Sequence, residues 1–329
     1  MTRPLAILGP TASGKSAVAM AVVEHVTTAT TRPAEIVAVD AMQIYRGMDI
    51  GTAKPTAAER QLVPHHLIDL VDPAEEYTVA RFQAEYRTVV ADLERRGVTP
   101  VLVGGTGLYV RAVVDGLEIP GQWPEIRARI DCDIERDGTG ASYDRIVALD
   151  PSAASRIEPN NARRIARALE VIEGSGRPFS SFGPGVDVYP PTEVLQVGLR
   201  WDRARLSRRI EDRVHAMIAA GWLDEAAELV RRPLSRTAAR ALGYQELFDH
   251  LAGRCTLDDA IGSIVLRTRQ YAVRQERWFR RDPRIVWFDL PGDRAGDRAG
   301  DRDGDRADDA VDPMSDVIER ICAQWLERP

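Results

Sequence analysis

Cysteine is scarce in this chain, and its spacing forms no pattern. The three cysteines, Cys132, Cys255 and Cys322, stand far apart along 329 residues. A disulfide framework needs an even set of closely spaced cysteines, and a zinc site needs paired ligands, so the sequence favours neither. We interpret each thiol as a buried free side chain. The scarcity indicates a reducing compartment, and we expect a cytoplasmic protein.

Long apolar runs are also missing. No stretch of about 18 apolar residues occurs, so no segment is predicted to span a membrane. The short apolar run at the N-terminus leads directly into a glycine-rich loop that signal-peptide cleavage would disrupt, so we predict no signal peptide. The net charge of -6 does not by itself indicate a nucleic-acid binder. The distribution of charge along the chain is therefore more informative than its sum.

Lysine is almost absent, because Lys15 and Lys54 are the only two among 44 basic residues. A genome-wide preference for arginine explains most of this bias. A chain that uses arginine almost everywhere nevertheless retains lysine at Lys15, inside the glycine-rich loop. A compact ammonium group on a flexible stem fits such a loop, whereas a planar guanidinium does not.

The segment from Gly9 to Ser16 matches the phosphate-loop pattern G-x-x-x-x-G-K-[ST] in full. An apolar run precedes it and a helical pattern follows, as the motif requires. Glycines let peptide N–H groups face phosphate oxygens, and the helix N-terminus adds a favourable dipole. We expect Lys15 to hold the terminal phosphates and the Ser16 hydroxyl to reach Mg²⁺. The predicted diphosphate ligands of the loop are Gly9, Pro10, Thr11, Ala12, Ser13, Gly14, Lys15 and Ser16.

Buried strands alternate with helices along the chain. Strands are predicted at 4–9, 35–40, 101–105, 194–201 and 285–290, and helices at 16–26, 79–96 and, as the longest, 257–280. This order predicts an α/β fold, a P-loop NTPase-like parallel sheet flanked by helices. Ligands of such sheets lie beyond the carboxyl ends of the strands, where Gly9, Asp40 and Gly105 fall.

Changes in amino-acid composition and in the pattern of apolar residues divide the chain into five segments. Residues 1–115 and 192–290 are predicted to form the two parts of the core, and 116–191 a small helical insertion. Residues 291–309 repeat Gly-Asp-Arg and offer no apolar face, so they are predicted to be a disordered linker. Apolar residues at helical spacing predict a C-terminal helix within 310–329.

Arginine is dense in three segments, at 156–167, 200–213 and 267–281. Each cluster alone is typical of a solvated helix face. Three of them on an acidic chain indicate surfaces that bind a polyanion. Some of these arginines could instead clamp the bound diphosphate.

Several motifs occur in an order that resembles the tRNA dimethylallyltransferases of bacterial type. The most specific is the run DAMQIYRGMDIGTAKP, which begins at Asp40. The others are GPTASGKS at 9–16, PHHLID at 64–69, GGTGLY at 104–109, ALGYQE at 241–246, and RQ and WFR within 274–280. The resemblance covers about residues 4–290 and stops before the Gly-Asp-Arg repeats.

The resemblance implies transfer of the dimethylallyl group from its diphosphate to N6 of adenosine 37, in tRNAs that read codons beginning with U. It implies Asp40 as general base, with Lys15, Ser16 and Thr106 also in the catalytic set. It further implies Arg209 and Arg213 as ligands of the diphosphate, and the insertion as the binding site of the anticodon stem-loop. The implied tRNA contacts are Asp40, Ala41, Met42, Gln43, Thr106, Arg127, Arg163, Arg164, Arg167, Arg240, Gly243, Tyr244, Arg274 and Gln275. Ala41 stands where the family usually has serine.

Two alternatives remain beside this interpretation. Because most phosphate loops bind nucleoside triphosphates, spacing and composition alone support a small-molecule or nucleoside kinase that uses ATP almost equally well. A non-catalytic nucleotide-binding or RNA-binding protein is the other alternative, and it would not need Asp40. The combined motifs favour the transferase. We expect a monomer, since no exposed apolar stripe requires a partner.

Overall fold

The computed structural model describes residues 3–30, 33–183, 185–290 and 313–326. The linker predicted at 291–309 lies outside these residues. The strands are β1 Leu5–Leu8, β2 Ala34–Val39, β3 His65–His66, β4 Thr99–Gly104, β5 Leu195–Arg200 and β6 Val286–Asp289.

Fourteen α-helices and one short 3-10 helix, Phe179–Ser181, lie in the described ranges. The helices are α1 Lys15–Thr30, α2 Ala57–Leu62, α3 Val79–Arg95, α4 Gly107–Val114, α5 Pro124–Asp137, α6 Thr139–Leu149, α7 Pro151–Ala154, α8 Ala162–Ser175, α9 Arg203–Ala219, α10 Trp222–Leu229, α11 Arg236–Ala239, α12 Tyr244–Leu251, α13 Leu257–Phe279 and α14 Pro313–Leu326. Among these described helices, none is both long and apolar enough to cross a membrane.

The strands form one parallel sheet in the order β3-β2-β4-β1-β5-β6, which confirms the predicted α/β class. Leu8 pairs with Gly104 and Gly198, and Val39 also pairs with Gly104. Strands β1, β2 and β4 therefore end at one edge of the sheet. The turns that follow them, with Gly9, Asp40 and Gly105, meet there as predicted.

Helices α1 and α14 cover the strands from one side of this core. Val18, Val22 and Val26 on α1 are buried, and the core cluster that contains them also includes Ile321 and Trp325 of α14. Helix α14 lies within the segment where the sequence predicts a C-terminal helix, and it packs on the helix that begins at the phosphate loop. The apolar side chains of α14 thus help to exclude water from the core to which β1 and α1 also contribute.

The chain divides into two compact units, Met1–Val110 with Pro191–Pro329, and Arg111–Pro190. The second unit is helical and has its own apolar core, in which Ile130, Ile146 and Leu169 are fully buried. Ile130 lies on α5, Ile146 on α6 and Leu169 on α8. Three short helices thus exclude water from a centre that none of them could cover alone.

Some local features differ from the sequence-based expectations. The helix α2 was not predicted, although Thr56 and Glu59 form a capping box at its start. The expectation that every cysteine is buried is wrong for Cys132, which is exposed, because it faces outward from the amphipathic helix α5. Cys322, by contrast, is buried, and burial raises its pKa to about 11.

Candidate active site

Two glycines shape the loop between β1 and α1. Gly9 has φ of +149°, and a Cβ there would lie 2.8 Å from the carbonyl oxygen of Leu199. Gly14 has φ of +88°, a value that side-chain-bearing residues rarely adopt. The motif glycines are therefore required by backbone conformation and by the close approach of β5. The loop they form leads directly into α1 at Lys15.

Lys15 lies inside the loop that it belongs to. Its Nζ donates a hydrogen bond of 2.7 Å to the carbonyl oxygen of Pro10. Burial and, next to it, the positive charge of Arg213 together lower the pKa of Lys15 to about 7, although the nearby Asp40 carboxylate acts in the opposite direction. The site thus concentrates positive charge that an anion would stabilise.

Two side chains after β5 bind the carbonyl oxygens of the loop. Arg209 Nε donates to the oxygen of Ala12 at 3.0 Å, and the indole nitrogen of Trp201 donates to that of Ser13 at 2.9 Å. The Arg209 guanidinium also lies 4.6 Å from the Trp201 ring centroid. Because donors already bind these carbonyls, they present no unsatisfied negative oxygen to an incoming anion. Burial, and next to it the charge of Arg205, lower the pKa of Arg209.

Arg213 adds a third cation, one helical turn beyond Arg209. Its Nη1 donates to the Thr11 hydroxyl at 3.4 Å. Its pKa is lowered mainly by burial, an effect that Asp40 opposes and Arg209 increases. Lys15, Arg209 and Arg213 therefore lie together at the phosphate loop, and their role as diphosphate ligands stays a prediction.

Ser16 occupies the first turn of α1, where its side chain is exposed. Within the described ranges, no three His, Cys, Asp or Glu side chains group closely enough to hold a metal ion. Mg²⁺ in phosphate sites commonly keeps several waters and takes one or two protein ligands beside the phosphate oxygens. An exposed hydroxyl next to a cationic loop fits that mode of binding.

Asp40 ends β2 at the sheet edge that carries the phosphate loop. Its Oδ1 accepts hydrogen bonds from the backbone N–H groups of Met42 at 2.8 Å and Gln43 at 3.3 Å. The other oxygen, Oδ2, takes no part in these bonds. The carboxylate is electrostatically coupled to Lys15 and Arg213. The hydrogen bonds of the turn thus fix the direction of the Asp40 side chain through Oδ1, and Oδ2 is not used by the turn.

Thr106 follows β4 and lies beside the Asp40 turn. Its hydroxyl accepts a hydrogen bond of 3.4 Å from the N–H of Ala41. The tight packing of the two strand ends brings these turns together, since a Cβ on Gly104 would lie 2.3 Å from the carbonyl oxygen of Val39. The predicted catalytic residues Asp40, Thr106 and Lys15 are therefore neighbours.

Tyr271 of α13 is a neighbour that the sequence did not single out as a site residue. Burial and, next to it, the charge of Asp40 raise its pKa to about 12, although a hydrogen bond with Thr106 acts in the opposite direction. The phenol is therefore neutral and close to both predicted catalytic side chains. Ile264, Tyr271 and Trp278 repeat at seven-residue steps along α13, a spacing typical of a structural stripe, so the sequence pattern did not indicate this proximity.

The segment from Gln43 to Lys54 is held by its own polar side chains. Lys54 Nζ donates to the carbonyl oxygen of Tyr45 at 2.7 Å and pairs with Asp49 at 2.5 Å and Asp69 at 2.6 Å. Gln43 Nε2 donates to two carbonyl oxygens of the same segment, each at 3.1 Å. The second lysine therefore organises a loop, and the Gln43 amide supports it.

Glu225 anchors that segment from a distant helix, and the sequence analysis missed it. Its carboxylate accepts from the N–H groups of Asp49 and Ile50, each at 2.8 Å, and from the Tyr244 hydroxyl at 2.6 Å. Its neighbours in the sequence, acidic residues on a helix, are typical of a solvated face and gave no signal.

The remaining predicted tRNA contacts of this unit differ in exposure. Arg240 and Arg274 are exposed, whereas Gly243 and Tyr244 are buried. A Cβ on Gly243 would lie 2.1 Å from the Trp222 ring. A contact of Gly243 or Tyr244 with RNA stays a prediction, because in this structure the protein itself surrounds both residues.

In the helical unit, the four predicted arginines fall into two groups. Arg127 pairs with Asp131 at 2.9 Å, and Arg167 pairs with Glu170 at 2.8 Å. Arg163 and Arg164, on the first turn of α8, are exposed. The second pair is therefore the more accessible to a polyanion.

Comparison with known proteins identifies the family. The family model described as IPP transferase matches residues 43–282. The tRNA dimethylallyltransferase of Kineococcus radiotolerans is 50% identical over 289 residues, which cover 87% of this chain and 90% of the relative. That of Symbiobacterium thermophilum is 47% identical over 299 residues, covering 90% and 92%.

Solved structures agree with the sequence relatives. The full-length tRNA isopentenylpyrophosphate transferase from Bacillus halodurans has a TM-score of 0.66 at 34% identity, covering 99% of this chain and 98% of that one. A eukaryotic dimethylallyltransferase acting on tRNA has a TM-score of 0.70 at 26% identity, covering 88% and 74%. With its phosphate loop, its cations and Asp40 at one sheet edge, the chain belongs to the tRNA dimethylallyltransferase family.

Proposed function

We propose that this enzyme transfers the dimethylallyl group from dimethylallyl diphosphate to N6 of adenosine 37, in tRNAs that read codons beginning with U, in the cytoplasm and as a monomer. The observation that carries the site assignment is the cluster of Lys15, Arg209 and Arg213 around the phosphate loop, with Asp40 at the neighbouring strand end. Relatives named tRNA dimethylallyltransferase support the reaction class and do not favour the kinase alternative.

The cations stabilise the leaving group. As the C–O bond between the dimethylallyl carbon and the diphosphate breaks, negative charge increases on the diphosphate oxygens. Lys15, Arg209 and Arg213 already lie at the loop, where their positive charges neutralise that charge as it develops. The peptide N–H groups of the loop and the N-terminus of α1 add favourable dipoles. Mg²⁺, when bound at Ser16 and the diphosphate, supplies further neutralisation of the leaving group.

Asp40 acts on the nucleophile. The exocyclic amine of adenine is a poor nucleophile because its lone pair is delocalised into the ring. As N6 forms its bond to the dimethylallyl carbon, it must lose one proton, and Asp40 Oδ2 accepts that proton as general base. The turn that binds Oδ1 leaves Oδ2 in the role of acceptor. Thr106 contacts the nucleotide beside it.

The target base must leave the anticodon-loop stack to reach this site. Arg163 and Arg164 of the helical unit bind the phosphates of the anticodon stem-loop, with Arg127 and Arg167 as further contacts. Ala41, Met42, Gln43, Arg240, Gly243, Tyr244, Arg274 and Gln275 complete the tRNA contacts that the resemblance implies.

One incubation tests this proposal. Purified protein, Mg²⁺ and unmodified tRNA are mixed with labelled dimethylallyl diphosphate, and a parallel reaction contains γ-labelled ATP instead. We expect the prenyl label on adenosine 37 and no transfer of phosphate. Phosphate transfer without prenyl transfer would contradict the proposal and support a kinase. A transcript with guanosine at position 37 is the matched control and should remain unlabelled.

A further inference from the structure

The buried side chain of Gln275 connects two turns of the site. Its Oε1 accepts a hydrogen bond of 2.8 Å from the N–H of Thr11, in the phosphate loop. Its Nε2 donates a hydrogen bond of 2.8 Å to the carbonyl oxygen of Gly105, which immediately precedes Thr106. The residue is only 7% exposed. One amide thus joins the phosphate loop to the turn that carries Thr106.

The fit of this amide is specific for glutamine. A Cβ on Gly105 would lie 2.5 Å from Gln275 Nε2, so the glycine leaves room for the amide. The connection needs an acceptor for one peptide N–H and a donor for one carbonyl oxygen on the same side chain. A carboxylate lacks the donor, an apolar chain lacks both groups, and asparagine is one methylene shorter.

Thr11 is held from two helices at once. Gln275 of α13 binds its backbone N–H, and Arg213 of α9 binds its hydroxyl at 3.4 Å. The conformation of the phosphate loop is therefore set by groups outside the motif before any anion is bound. A binding site that is already ordered loses less entropy when its ligand arrives.

We propose that Gln275 is a positioning residue for the phosphate loop: it holds Thr11 and Gly105 in the arrangement that binds diphosphate, and does not itself contact tRNA. This inference rests on the proposed diphosphate-binding role of the loop. It differs from the family resemblance, which places Gln275 among the tRNA contacts. The adjacent Arg274 is exposed and remains the residue of α13 that faces RNA.

Calorimetric titration with pyrophosphate, in the presence of Mg²⁺ and without tRNA, tests the proposal. Gln275→Met keeps the approximate size and removes both hydrogen bonds, so we expect about tenfold weaker pyrophosphate binding. Gln270→Met makes the same chemical change at an exposed position of the same helix and should bind pyrophosphate as the wild type does.

Binding of tRNA to the donor-free protein distinguishes positioning from RNA contact. Gln275→Met should retain tRNA affinity and lose pyrophosphate affinity, whereas Arg274→Gln should lose tRNA affinity and retain pyrophosphate affinity. The proposal is overturned if Gln275→Met binds pyrophosphate normally and tRNA weakly. If the methionine variant does not fold, Gln275→Glu, which retains the size and the Thr11 acceptor, must show the weakened pyrophosphate binding.

A wild-type protein that fails to bind pyrophosphate would have a different meaning. It would overturn the proposed function of the loop, and with it the role of Gln275. A wild type that binds pyrophosphate, together with folded Gln275 variants of unchanged affinity, would overturn only the positioning role.

Discussion

The two lysines of this chain occupy opposite electrostatic surroundings. Lys54 is almost fully buried, and its ammonium group is bound by two carboxylates and one carbonyl oxygen. Lys15 donates to a carbonyl oxygen and, among the described residues, pairs with no carboxylate. Burial and, next to it, the positive charge of Arg213 lower its pKa instead. A paired lysine stabilises a loop, whereas an unpaired one leaves its charge available for an anionic substrate.

The largest expected effect concerns Asp40, the carboxylate that is electrostatically coupled to Lys15 and Arg213. Asp40→Asn keeps an oxygen that can accept from Met42 and Gln43, so the turn should survive, but it removes the proton acceptor. We expect kcat to fall about thousandfold. Single-turnover assays measure this rate, and calorimetry should show that pyrophosphate still binds. Turnover at the wild-type rate would remove Asp40 from the mechanism.

Replacing each lysine by methionine tests the comparison directly. Lys15→Met should weaken pyrophosphate binding about 100-fold, because a charged donor to the phosphates is lost, and should leave the fold intact. Lys54→Met leaves Asp49 without its partner and Asp69 with Arg60 alone, so the free energy of unfolding should fall by about 2 kcal/mol. Urea unfolding and calorimetry on both variants measure the two quantities. The comparison is contradicted if both variants lose pyrophosphate affinity to the same extent, or if both lose stability to the same extent.

The pH dependence of binding sharpens the same comparison. Because the pKa of Lys15 in the free protein is about 7, the ammonium form that binds an anion is lost as the pH rises above 7. Pyrophosphate affinity should therefore fall by up to about tenfold per pH unit. Arg213→Gln removes a repulsive charge and should raise the pKa of Lys15, which moves the fall to higher pH. Because the ligand's own ionisation is common to both proteins, an unchanged midpoint in Arg213→Gln would contradict this cause.

The smallest effect extends the comparison to the helical unit. The exposed residues Arg163 and Arg164 should each contribute to tRNA binding, and replacing either by glutamine should weaken it a few-fold and reduce the salt dependence by about one counterion. Arg127→Gln is the matched variant, since that side chain is paired with Asp131. We expect a smaller loss of tRNA affinity for it, measured by filter binding at several salt concentrations. Equal losses would show that pairing does not decide which arginines bind RNA.

Much of the sheet could be predicted from the sequence, because its strands are continuous apolar runs that end in glycine or aspartate. The long helix α13 was also predicted, since its apolar residues keep a helical period. The site residues on the strand ends followed from the same logic. Local signals of this kind depend on neighbours within a few residues.

The supports of the site could not be predicted in the same way. Glu225 binds the backbone N–H groups of Asp49 and Ile50, which lie about half the chain length away in the sequence. Gln275 binds the backbone N–H of Thr11, which lies farther away still. Trp201 looked like the end of a strand, and only the fold shows its indole at the phosphate loop. These bonds depend on where the backbone of a distant segment lies, and no periodicity encodes that.

The position of β1 in the sheet has a consequence for synthesis on the ribosome. The first strand emerges early, but Leu5 pairs with Val101 on one side and with Leu195 on the other. The nascent phosphate loop therefore has neither neighbour when it leaves the exit tunnel. The cations that complete it, Arg209 and Arg213, come later still, and Gln275 comes last. A partly translated chain thus carries the whole motif before the groups that support it, and the phosphate loop can reach its full affinity for an anion only after Gln275 has been made.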